Sequence, residues 1–510
     1  LLTKQDTNKS LTKKGLVGAF WQASSTLIRI LTQFIMLGVL ARLISQTDFG
    51  YIAFIMILVG FTDLFSKMGI GGALIQMENI TKSHIKTGYT LSLVFGTFIG
   101  LFFYFLTPFI ASFFQMEAIT DGLHFYAFLF PIRSLNSVSY SLLSKDLKYA
   151  LVEKINLSAF VFGYALVAII LAFLDFGYWA LLYGQLAMII IQTIFYWYHH
   201  FPNFSFNWKK IEVNQLLSFG SGYTINTILG YFSDTIDNLL ISKFIGARAL
   251  GIYSKAYQLY VLPSGILGGV YNQVMFPILS KRKNDLNKLT DFYFFSISLN
   301  ILLLTPIAII ALINSELIIL TILGPGWEEA ILILQILILS LPARFGYRIN
   351  RSFFDAQGLV YKSTIFEIVF FISVLILCIL GFYLWELPGV ALGVLLASNV
   401  FFYSALIYLS KLLKVPYFLN KKLILSTFLY NFPILILSIL VLYYFDPSYW
   451  VLLSISLSLL IPLFIIVLFF NKKSVIFTPS NVILINQIIK NLPIKIQLKL
   501  KKVKARFKTK

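Results

Sequence analysis

Apolar residues along this chain come in blocks of about twenty or more, the length needed by a helix crossing a bilayer core about 30 Å thick. Polar residues gather in the short stretches between blocks. The blocks do not alternate every second residue, as strands of a membrane barrel would. The pattern predicts an all-α polytopic membrane protein with about fourteen spans. They lie near 15–41, 49–66, 88–114, 122–144, 152–174, 178–198, 214–245, 249–279, 290–313, 328–350, 360–384, 387–410, 423–445 and 449–470. No connection is long enough to hold a soluble domain. The polar start and the long apolar run after it, with no small-residue cleavage site, read as a first membrane helix and not a removed signal peptide.

Composition supports this reading. Of 510 residues, 58% are hydrophobic and 12% charged, against about 25% charged in a soluble domain. A soluble enzyme is therefore excluded. The single Cys378 rules out an intramolecular disulfide framework, and the four histidines are too scattered for a metal constellation. No GxxxxGK[ST] phosphate loop occurs, so ATP hydrolysis is not expected. Neither a metal nor a cofactor is expected.

Charge sets the orientation, because short cytoplasmic loops retain Lys and Arg. With the N-terminus inside, 33 of the 41 basic residues fall in inside segments. Only Arg42, Lys243 and Arg248 fall outside, and Arg29, Arg133, Lys255, Arg344 and Arg348 lie within spans. Both termini are thus expected in the cytoplasm. The net charge of +20 belongs to these loops and to the tail from Lys472, and it does not signal nucleic acid. That tail is either a surface segment held by anionic membrane lipids or a disordered extension that reinforces topology.

Charge inside the bilayer is costly and marks cavities or partners. In the first span Gln22, Ser25, Thr26, Arg29, Thr32 and Gln33 share one helical face. This is either the wall of a polar cavity or an Arg29–Asp63 pair holding two helices together. The seventh span carries Asn226, Asp234 and Asp237 on one side. Two carboxylates one turn apart repel, so they form either an ion-coupling site or a solvated interface pair. Arg133 and Asn136 lie in the fourth span, Arg344 and Arg348 in the tenth with Arg351 after them, and Glu367 in the eleventh could pair with one of these tenth-span arginines. Arginines in one cavity suit an anionic ligand, because guanidinium makes forked bonds to phosphate. Arg351, near the inner edge, is expected to snorkel. Gly96 and Gly100 form a small-xxx-small contact.

The two halves echo each other. Arg42–Gly50 matches Lys243–Gly251, and Pro131-Ile-Arg133 matches Pro342-Ala-Arg344. Six spans return the chain to the same side, so the repeats are parallel, as in alternating-access transporters. The expected organisation is an N-terminus 1–14, six-helix bundles 15–200 and 201–415, two added helices 416–471 and a basic tail 472–510.

Four segments carry a family resemblance: Leu40–Tyr51, Leu142–Tyr149, Gly251–Leu259 and Phe276–Lys281. With them the chain resembles the Wzx-type polysaccharide flippases of the multidrug/oligosaccharidyl-lipid/polysaccharide exporter superfamily, over about residues 10–415. The resemblance implies a V-shaped pair of bundles in the bacterial inner membrane. It also implies an undecaprenyl-diphosphate-linked oligosaccharide as substrate and polysaccharide assembly proteins as neighbours. Two rivals are a multidrug exporter of the same superfamily, which would favour acidic cavity residues, and a polysaccharide polymerase or ligase, which would need a large outer loop.

Overall fold

The computed structural model of the chain describes residues 4–67, 70–77, 80–202, 209–281 and 286–413. Every regular element among them is helical. Six of these helices are long and apolar enough to cross a membrane, or seven if one bent pair counts as a single span. The predicted spans up to residue 410 fall on helix. Those near 423–445 and 449–470, and the basic tail, lie outside the described residues.

The chain divides into two compact units: Leu1–Lys255 with Ile319–Ala330, and Ala256–Ile318 with Ile331–Lys510. The first unit contains α1 (Lys4–Leu43), α2 (Gln46–Lys67), α3 (Ile70–Gln76), α4 (Lys82–Phe114), α5 (Thr120–Ala127) and α6 (Phe130–Lys145). Next, α7 (Tyr149–Ser158), a π-helical turn (Ala159–Ala165) and α8 (Leu166–Phe173) run on as one rod. After it come α9 (Tyr178–His199), α10 (Lys210–Phe244) and the first turns of α11 (Ala247–Lys281).

Lipid tails offer no hydrophobic drive for helix association, so close backbone approach matters. The predicted Gly96–Gly100 contact shows how. A Cβ on Gly96 would stand 2.9 Å from the Pro131 Cα, and one on Gly100 would stand 2.6 Å from the Ala127 carbonyl oxygen. Thus α4 lies against the point where α5 gives way to α6. There Pro131 occupies the first turn of α6, where its missing N–H costs nothing. The fourth predicted span is therefore two helices. On α1 the apolar face opposite the polar residues is exposed, with Leu27, Ile28, Leu31 and Ile35 outward.

Sequence pattern did not predict α3. It is a short helix seated on α6, with Gly71 against Ser141 and Ser137. Lys145 Nζ donates to the Leu74 carbonyl at 3.3 Å, a cation on the carbonyl end of a helix.

The second unit contains the rest of α11, α12 (Leu286–Ile313), α15 (Leu341–Ala356) and α16 (Val360–Leu412). α13 (Ser315–Ile322) and α14 (Glu329–Ile338) straddle the boundary between the units. α14 and α15 meet at a 46° bend, with Pro342 in the first turn of α15. Asn300 Nδ2 donates to the Pro342 carbonyl at 2.9 Å. α16 breaks at Trp385 and Glu386, where Glu386 has φ 44°. The break falls between the predicted spans 360–384 and 387–410. The two arms pack through glycines: a Cβ on Gly381 would stand 2.0 Å from the Gly389 carbonyl oxygen, and one on Gly393 would stand 2.7 Å from Cys378 Cα.

Candidate functional site

A cavity of about 510 Å³ opens inside the first unit. Gly72 and Ile75 of α3, Arg133, Asn136, Ser137 and Tyr140 of α6, Asn156 of α7, and Gln192 and Tyr196 of α9 line it. The lining contains amides, hydroxyls and one guanidinium, and no carboxylate. Asn156 Oδ1 accepts from Tyr196 at 2.7 Å and from Gln192 Nε2 at 3.1 Å. Asn136 Nδ2 donates to Thr193 at 2.8 Å. Arg133 Nη1 donates to the Tyr126 hydroxyl, and its guanidinium lies 5.6 Å from that ring centre. Close approach of α9 to the π-helical turn fixes this wall. A Cβ on Gly163 would stand 2.7 Å from the Met188 backbone, and one on Gly184 would stand 2.8 Å from the Tyr164 carbonyl oxygen.

Arg133 and Asn136 thus share one cavity. Arg29 does not line it: its Nη2 lies 3.6 Å from Glu153 Oε2 on α7, where the sequence had offered Asp63 as the partner. α1 packs along α7, and the sequence does not reveal that neighbour. Gln22 is exposed and Gln33 is half-buried. The side chains of Asp63 and Asn226 lie outside the described residues.

The two aspartates of α10 occupy different surroundings. Asp234 is exposed. Asp237 is buried and accepts from Tyr253 at 2.6 Å and from the Asn238 backbone N–H at 2.8 Å. At the cytoplasmic start expected for this helix, burial pushes the Glu212 carboxyl up. Hydrogen bonds from Ser83 and Thr87, together with nearby His84 and Lys209, outweigh that and hold it below the ordinary carboxylate value.

In the second unit Arg344 is buried between rings, 5.2 Å from the Tyr257 centre and 5.7 Å from that of Tyr260. Such contacts stabilise a cation by about 0.5–2 kcal/mol. Arg348 rests on Gly268, where a Cβ would stand 2.9 Å from its Nη1. Arg351 does not snorkel freely. It lies 3.6 Å from buried Glu367, which also accepts from the Tyr347 hydroxyl.

The three basic residues assigned to outer loops have structural work. Arg42 donates to the Thr321 and Ile322 carbonyls, both at 3.0 Å, at the end of α13. Lys243 donates to the Phe113 carbonyl at 2.5 Å, in the last turn of α4. Arg248 pairs with Glu329 at 2.6 Å. Beside them α2 and α11 cross at contact distance. A Cβ on Gly50 would stand 1.8 Å from the Ala247 carbonyl oxygen, and one on Gly251 would stand 1.8 Å from that of Gln46. Lys255, one turn further along α11, lies 4.1 Å from the Phe49 ring centre. The sequence reading gave this residue no role, although a lysine inside an apolar span was signal enough.

The family model described as polysaccharide biosynthesis protein matches residues 39–332, more than half of the chain. The chain belongs to this family. The resemblance read from its four motifs is borne out. The teichuronic acid biosynthesis protein TuaB of Bacillus subtilis (strain 168) is 26% identical over 358 residues, 68% of this chain and 72% of that protein. The lipopolysaccharide biosynthesis protein WzxC of Escherichia coli (strain K12) is 24% identical over 399 residues, 77% of this chain and 80% of that one. Among solved structures, lipid II flippase MurJ in an inward closed conformation superposes with TM-score 0.72 at 16% identity, covering 88% of this chain and 97% of that chain. The family fold is thus a multi-pass helical membrane fold of the MurJ type.

Proposed function

We propose that this chain flips an undecaprenyl-diphosphate-linked oligosaccharide from the cytoplasmic to the outer leaflet of a bacterial inner membrane by alternating access. The observation that carries the reading is the family match on a chain whose apolar spans hold arginines. A diphosphate entering such a protein must shed water, and guanidinium groups replace that hydration with forked hydrogen bonds. In this reading Arg29, Arg133, Arg344 and Arg348 face the headgroup, with Lys255 as a further cation. Asp234 and Asp237 supply the candidate coupling carboxylates, and no catalytic residue or cofactor takes part.

The proposed architecture is fourteen spans in two related six-helix bundles, with two added helices at 416–471 and both termini cytoplasmic. The Gly50 and Gly251 contacts support it, because each glycine meets the residue that corresponds to its counterpart's own neighbour. This is the reciprocity expected around a two-fold axis. The breaks before Pro131 and Pro342 recur in the same manner. A multidrug exporter fits less well: Asp237 is already held by Tyr253 and Asn238, and the described cavity has no carboxylate in its lining.

Two measurements test this. In vesicles, Arg133→Ala and Arg344→Ala should each lower flipping of a lipid-linked oligosaccharide at least about tenfold, since removing one partner of a buried hydrogen-bonded charge pair typically costs about 2–5 kcal/mol. Arg→Lys should restore only part, because an ammonium lacks the fork. Normal flipping by both alanine variants would reject the anionic-headgroup reading. For orientation, Glu328→Cys should react with an impermeant thiol reagent on intact cells and Lys148→Cys should not, both in a Cys378→Ser background. The reverse pattern would invert the topology.

A further inference from the structure

The cavity of the first unit has a chemistry that a diphosphate does not require. Its polar walls come from amides and hydroxyls, with Arg133 as the lone cation of the lining. Asn136 is 7% exposed and uses its Nδ2 on Thr193, while its Oδ1 is buried with no protein donor in reach. A buried acceptor left without a donor is unfavourable, so a hydroxyl donor at this edge of the cavity, from a water or from a ligand, is favoured. Asn156 Oδ1 already holds Gln192 and Tyr196 in fixed directions, which keeps those groups ordered before any ligand enters. Tyr140 and Tyr196 stand edge to face, 6.4 Å apart, and give an apolar surface beside the amides. The volume of about 510 Å³ lies within the range of about 300–1,000 Å³ of small-ligand sites.

Gly72 is the residue that keeps this volume open. A Cβ there would meet nothing within 4 Å, unlike Gly71 next to it, whose Cβ would press on Ser141. One glycine of α3 is thus spent on packing against α6, and the other leaves space in the cavity wall.

We infer that this cavity is a subsite for one sugar residue of the transported headgroup, with Asn136 Oδ1 accepting a sugar hydroxyl and the Asn156–Gln192–Tyr196 group reading its neighbours. The inference rests on the flippase reading for the sugar's source, and not for the binding itself. The absence of carboxylates from the lining disfavours cationic ligands, while Arg133 tolerates an acidic sugar as well as a neutral one.

Saturation-transfer NMR on the full-length protein in lipid nanodiscs tests this with free N-acetylglucosamine, galactose and glucuronic acid at millimolar concentration. Wild-type protein should transfer magnetisation to at least one of them. Gly72→Leu should cut that signal at least fivefold by filling the open space. Asn136→Leu should do the same by removing the acceptor, with melting temperature recorded for both variants. An unchanged signal in Gly72→Leu, or no transfer to any of the three sugars by wild type, would overturn the subsite. Flipping assayed on the same preparations separates the two ideas. Sugar transfer without flipping leaves the subsite standing and rejects the flippase reading. Flipping without sugar transfer does the opposite.

Discussion

Replacing Gly50 or Gly251 by alanine should abolish most flipping while the protein still inserts, and the double variant should be little worse than either single one. A single methyl group suffices, because it would stand 1.8 Å from a backbone carbonyl oxygen on the opposite helix. Backbone cannot rotate away as a side-chain tip can, so the helices must part. Overpacking of this kind typically costs about 1–3 kcal/mol and occasionally more. The effects overlap because the contact is reciprocal: a methyl on either helix opens the same crossing, and neighbouring substitutions are not additive. Beside the crossing, Gln46 Nε2 donates to the Gly326 carbonyl and Trp327 Nε1 donates to that of Ala41 at 3.0 Å. These bonds should loosen with it. Flipping per inserted molecule, with melting temperature alongside, is the measurement. Wild-type values for both in Gly50→Ala would show that the crossing tolerates separation.

Arg351→Ala should lower the amount of folded protein more than any other single arginine change. Its guanidinium faces Glu367, which is 3% exposed. Removing one member of a buried ion pair typically costs about 3–5 kcal/mol, because the remaining charge stays buried. The double change Arg351→Ala with Glu367→Gln should recover much of that loss, since a neutral amide can keep the Tyr347 contact without carrying charge. Detergent-solubilised melting temperature and membrane yield of the single and double variants decide it. A single variant as stable as wild type, or a double no better than the single, would show that the pair does not hold α15 to α16.

These two cases mark the limits of the sequence. Apolar blocks locate the helices because burial in lipid imposes a length, and the Trp385–Glu386 break falls between two predicted spans, whereas the break before Pro131 divides a span that the pattern read as one. Short helices escaped it. α3 and α13 are brief, and their apolar residues read as span ends or loop. Charged residues were found reliably, since they stand out in apolar runs, yet their partners were found only in part. Arg29 meets Glu153 and not Asp63, because pairing depends on which helices lie side by side, whereas the pairing of Glu367 with a tenth-span arginine was legible and falls on Arg351. The aspartates of α10 carry the same lesson: three positions apart on one helix, one is exposed and the other buried beneath Tyr253.

The π-helical turn at Ala159–Ala165 has a consequence of another kind. Such a wide turn accommodates an extra residue within an otherwise α-helical rod. The rod through α7 and α8 therefore carries slack in its sequence. Loss of one residue between 159 and 165 could be absorbed by closing the turn into ordinary α-helix, leaving Asn156 and Ala168 on their present sides. The same loss elsewhere in that rod would rotate everything beyond it by about 100°. In this family, length variation at this point is thus compatible with an unchanged cavity wall, whereas a helical wheel drawn straight through it misassigns every face downstream.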